Sequence, residues 1–108
     1  MAEKSRLEEI KELVELEPND TFCRYALGME YMGIAQFEEA IRNFDEVIRL
    51  DPTYSAAYFQ AGLASQKKHD LSTAKNYLVK GIEIADKKGD RHARDEMRAA
   101  LETLEGFE

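Results

Sequence analysis

A chain of 108 residues, 44% hydrophobic and 34% charged, is the size of one domain and holds enough apolar matter for a continuous core. With only two prolines and six glycines it is not disordered, and its net charge of −7 disfavours nucleic acid, whose phosphate backbone demands positive charge. No apolar run approaches the roughly 18 residues that cross a bilayer. The charged stretch 1–12 lacks a signal peptide's apolar core, and the single Cys23 allows no internal disulfide. The expectation is a cytoplasmic protein without membrane attachment.

Six helices and no strands are predicted. The first covers about residues 4–16, where Leu7, Ile10, Leu13 and Val14 recur at helical spacing, and Pro18 ends it. Asn19, Asp20 and Thr21 offer capping oxygens to a second helix reaching about Gly33. The third spans about 37–50 and stops at Asp51-Pro52, and the fourth covers about 55–68. Asp70 caps a fifth over about 71–86, and Gly89-Asp90 break the chain before a sixth that ends near Leu104. Short connections make successive helices antiparallel hairpins.

Charge is unevenly spread. Residues 1–51 carry 13 acidic and 6 basic side chains, and residues 52–108 carry 9 of each. The acidic half reads either as a solvated face that keeps the protein soluble or as a surface that steers a basic partner.

The chain repeats itself every 34 residues. With Pro18 laid on Pro52, Leu7, Ile10, Leu13, Val14 and Leu16 fall opposite Ile41, Phe44, Val47, Ile48 and Leu50. Such a period marks stacked units that bury their apolar faces against neighbours. Within it, Arg24-x-x-Leu27-Gly28-x-x-Tyr31, then Ala40-x-x-x-Phe44, then Pro52, resembles the tetratricopeptide repeat (TPR) pattern at every signature position except Arg24, whose stem replaces an aromatic. The next 34 residues match at Tyr58, Gly62, Ala74 and Leu78 and depart at Ala61, Ser65 and Asp86. The resemblance implies an all-α solenoid of antiparallel helix hairpins, in which the small Gly28 and Ala40 mark the crossing of two helices.

The expected organisation is one domain: a leading half-repeat helix (4–18), a first repeat (21–54), a second repeat (55–88) and a C-terminal capping helix (90–105). Arg6 stands where Ala40 and Ala74 stand in the repeats, which reads as a natural start. Ala93, Met97, Ala100, Leu101 and Leu104 lie 36 residues after Ala57, Ala61, Ala64, Ser65 and Lys68, as a third repeat displaced by two. Arg91, Asp95, Arg98, Glu102 and Glu105 on its other face close the array.

No catalytic residue, metal site or cofactor is expected. Cys23 falls on a packing face, and His92 with Glu96 supplies two ligands, too few for zinc, so a surface ion pair is expected there. The basic residues Lys87, Lys88, Arg91, Arg94 and Arg98 interleave with carboxylates.

The resemblance also implies a concave groove formed by the first helix of each repeat, which receives a peptide or a helix. Its residues here are Phe22, Tyr25, Met29 and Met32, then Ala56, Phe59, Leu63 and Gln66, with the alternative that these side chains are core. The clamp by which some members hold acidic chaperone tails needs Lys and Asn where this chain has Tyr25, Met29 and Gln60. The expected function is therefore a non-enzymatic protein-interaction scaffold. Its partner is a protein or peptide segment, apolar or amphipathic with basic flanks, and not a nucleic acid or membrane. The rival is self-association through the same groove or the open face of the first helix.

Overall fold

The computed structural model describes residues 3–106. Six α-helices fill them: α1 (Arg6–Leu16), α2 (Thr21–Gly33), α3 (Phe37–Leu50), α4 (Ser55–Lys67), α5 (Leu71–Lys88) and α6 (Arg91–Glu105). Among the described residues there is no strand, and no helix is long and apolar enough to cross a membrane.

Four helices begin on side-chain caps that satisfy otherwise orphaned N–H groups. Ser5 accepts from the Glu8 N–H, Asp20 from Cys23, Asp70 from Thr73 and Asp90 from Ala93. The Ser5 cap moves the start of α1 to Arg6. The expected end of α5 near Asp86 is corrected to Lys88. Asp86 stands at the position of Pro52, so nothing stops the helix there, and it runs on until Gly89 turns in left-handed backbone at φ 73°. This extension accounts for the displacement by two, since α6 begins 36 residues after α4.

Each helix packs on the next in the chain. In addition, α2 touches α4 and α4 touches α6, whereas α1, α3 and α5 make no close backbone approach to one another. The helices thus form two layers, with α2, α4 and α6 crowded on the inside of the curve. The molecule measures 50 × 28 × 19 Å, and its thinnest dimension is about two helix diameters of roughly 10 Å.

The core is a row of small clusters. Ile10 and Val14 meet Leu27, with Cys23 and Ala26 beside them. Ala40, Phe44 and Val47 meet Ala57 and Ala61. Ala74, Leu78 and Ala85 meet Met97 and Leu104, so the apolar face of α6 covers α5. The expectation that Gly28 faces Ala40 needs refinement. A Cβ on Gly28 would lie 2.5 Å from Phe44 Cε1, so the glycine makes room for the Phe44 ring. Gly62 stands in the same way over Leu78, and Gly81 gives space to the Met97 sulfur.

Hydrogen bonds tie the repeats together. The Tyr58 hydroxyl donates to the Pro52 carbonyl and the Lys88 ammonium to the Thr53 carbonyl, both at 2.8 Å, which secures the α3–α4 turn. Tyr77 on α5 donates to Asp45 on α3 at 2.6 Å across the outer layer. Arg24 is partly buried, and its Nη2 donates to the Pro18 carbonyl at 3.4 Å.

Candidate functional site

The inner face of α2 and α4 combines exposed and anchored side chains. Phe22, Tyr25, Met29 and Met32 recur at helical spacing along one side of α2. Phe22 is 72% exposed and Met29 37%. Tyr25 and Met32 are half-buried against the Phe44 cluster. The Tyr25 ring lies 5.6 Å from Phe44 and 5.3 Å from Tyr54, centroid to centroid. Burial pushes its phenol up, with a smaller push from Tyr54, and a hydrogen bond with Gln60 opposes them. On α4, Ala56, Phe59, Leu63 and Gln66 are each partly exposed, and Phe59 packs against the cluster under α6. The face therefore holds open contacts on rigid supports, an arrangement suited to an apolar ligand.

Leu63 and Gln66 also line a cleft of about 750 Å³ with Lys67, His69 and Leu71, where α4 turns into α5. The sequence reading assigns Leu63 and Gln66 to the groove and gives Lys67, His69 and Leu71 no place in it. The signal was present: Gln66, Lys67 and His69 replace Met32, Gly33 and Ala35 of the first repeat.

Elsewhere, several polar groups are engaged with one another. His92 Nε2 pairs with Glu96 at 2.7 Å. Arg94 bridges Asp86 and Asp95, and Lys87 meets Glu83. Burial, and then the nearby Asp20, push the Cys23 thiol up, which weakens it as a nucleophile. Among the described residues no three His, Cys, Asp or Glu side chains gather to hold a metal ion.

The tetratricopeptide repeat model matches residues 23–54 and again residues 55–88, the two hairpins α2–α3 and α4–α5. The chain belongs to the tetratricopeptide repeat family. A TPR repeat-containing protein of Pseudomonas aeruginosa is 27% identical over 99 residues, which span 92% of this chain and 94% of that protein. The human aspartyl/asparaginyl β-hydroxylase is 30% identical over 71% of this chain, but over only 10% of its own length. The type III secretion chaperone SycD of Yersinia enterocolitica, solved in complex with a peptide of the translocator YopD, superposes with a TM-score of 0.84 at 20% identity. That superposition covers 92% of this chain and 76% of SycD. This TPR chain is therefore an all-α solenoid of stacked helix hairpins.

Proposed function

We propose that this TPR protein is a non-enzymatic interaction module that binds an apolar or amphipathic peptide or helix along the inner face of α2 and α4. One observation carries the reading. Phe22 and Met29 remain exposed on the same face as Tyr25 and Met32, which pack into the core. Large apolar side chains left in water beside a supported aromatic layer form a binding patch. Methionine adds adaptability to varied apolar ligands. Glu8, Glu9, Glu12, Glu15 and Glu17 stand exposed on or next to α1, which favours a ligand with basic flanks. The SycD–YopD complex supports this reading as a case of the same fold holding a peptide.

The test is selection from a displayed peptide library by the wild type and by a Phe22→Ser, Met29→Ser double variant. Both side chains are exposed, so the variant is expected to keep its helix content and melting temperature while it loses the enriched amphipathic sequences. A folded double variant that enriches the same peptides would move the binding surface elsewhere.

A second reading, self-association, has its own observation. Leu13 is 50% exposed and Leu16 76%, whereas Val47, the repeat equivalent of Leu13, is fully buried. The face of α1 that would meet a partner helix is open. Light scattering over a concentration series, on the wild type and on Leu13→Lys, Leu16→Lys, separates the two readings. Dimers that dissociate in this variant would support self-association.

A further inference from the structure

The two repeats present the same inner face, but its chemistry differs at one end. In the first repeat, Met29, Met32, Gly33, Ala35 and Phe37 offer no side-chain hydrogen-bond donor beyond the backbone. Thirty-four residues on, Leu63, Gln66, Lys67, His69 and Leu71 enclose a cleft of about 750 Å³. The two apolar positions are kept, with Leu63 and Leu71 in place of Met29 and Phe37, and three donors have been added around them. Among the described residues, no carboxylate pairs with Lys67 or His69, whereas Lys68 between them is tied to Glu38 at 3.2 Å. An ammonium and an imidazole without an acidic partner thus stand beside the two leucines of the cleft.

From this we infer that the α4–α5 cleft is an acidic-anchor subsite, which takes an aliphatic side chain between Leu63 and Leu71 and the carboxylate of an adjoining Asp or Glu on Lys67 and His69. The inference rests on the groove reading above and gives it a direction: basic flanks toward α1, an aliphatic–acidic pair at α4. The cleft is large enough for one anchor, since ligand pockets commonly run from about 300 to 1,000 Å³. A charge-assisted contact at its rim adds selectivity to the apolar burial. An internal acidic residue fits better than a chain terminus. The α4 helix lies between α2 and α6 on the inner layer, so a segment laid across that layer extends beyond α4 on both sides and presents an internal residue there.

The probe is a set of synthetic dodecapeptides, N-acetylated and C-amidated so that no terminus carries charge, with a basic amphipathic first half. A central Leu is followed by Asp or Glu in one arm, by Asn or Gln in a second and by Lys in a third. Fluorescence anisotropy on the full chain should show the acidic arm binding about three- to tenfold more tightly than the amide arm, as a partly exposed charge-assisted contact gives. Lys67→Glu should erase that preference and favour the Lys arm. His69→Gly should weaken the preference while leaving the fold intact, because position 69 holds left-handed backbone that glycine adopts without strain. Equal affinity of the acidic and amide arms for the wild type, or a preference unchanged by Lys67→Glu, would overturn the subsite. If binding then still falls in the Phe22→Ser, Met29→Ser variant, the groove reading stands and only the subsite is lost. If no arm binds the wild type, both are rejected.

Discussion

Ala35 and His69 hold the same place in successive repeats, and both adopt left-handed backbone, with φ of 59° and 64°. Each closes the turn between the helices of its hairpin. The Gln36 N–H reaches the Tyr31 carbonyl across the first turn, and the Asp70 N–H reaches the Ser65 carbonyl across the second, both at 2.9 Å. The turn geometry demands positive φ whatever residue the position carries. A side chain there costs about 1–2 kcal/mol relative to an unstrained conformation.

Glycine at either position should therefore stabilise the protein. Ala35→Gly and His69→Gly are each expected to gain about 1 kcal/mol or slightly less, after the greater freedom of glycine in the unfolded chain is set against the relieved strain. Such a gain corresponds to a rise of roughly 4–8 °C in melting temperature for a domain of this size. Calorimetry on the two single variants and their combination checks it. A fall in both would mean that the turns are held in another conformation in solution.

Gly28 should tolerate no side chain, whereas Gly33, five residues on, should. A Cβ at 28 meets the Phe44 ring at 2.5–3.0 Å, and Phe44 is fully buried with nowhere to retreat. Gly28→Ala is expected to cost about 1–3 kcal/mol. A Cβ at Gly33 meets nothing within 4 Å, so Gly33→Ala should be neutral or gain up to about 1 kcal/mol through helix propensity. Urea midpoints of the two variants give the comparison, and equal effects would contradict the α2–α3 crossing.

The Tyr77–Asp45 hydrogen bond predicts an alkaline weakness. Burial pushes the Tyr77 phenol well above its ordinary value, and the hydrogen bond and charge of Asp45 push it further. The folded protein thus holds this proton more tightly than the unfolded chain. The stabilisation is complete below the ordinary tyrosine pKa of about 10 and is lost as pH climbs toward the raised value. Tyr77→Phe should cost about 1 kcal/mol near neutral pH through the lost hydrogen bond. It should also lose less stability than the wild type between pH 9 and 11, as measured by urea unfolding at each pH. Tyr25, Tyr54 and Tyr58 are also shifted upward, so part of the alkaline loss will remain. An unchanged alkaline slope would show that the hydrogen bond does not hold in solution.

The repeat period, the six helices and most of their ends follow from the sequence alone, because they depend on local physics. Capping oxygens, prolines and a 3.6-residue apolar period act within one or two turns, and the boundaries of α3 at Phe37 and Leu50 could be read directly. That Phe22, Tyr25, Met29 and Met32 share one side of α2 was equally legible, since helical geometry places them so whatever surrounds them. Which of the four face water was not. Tyr25 and Phe22 lie on the same face of the same helix, yet Tyr54 and Phe44 wedge the first while the second is left open. Exposure depends on side chains brought in from other helices, which periodicity does not encode. The same holds for Gly28 against Phe44, for Met97 filling the space above Gly81, and for the cleft where Lys67 and His69 join Leu63 and Leu71. A sequence with this pattern determines the helices and the order in which they stack, because those are settled by neighbours along the chain. The open surfaces were decided only by tertiary packing, because close-packed layers leave exposed whatever the next helix does not reach.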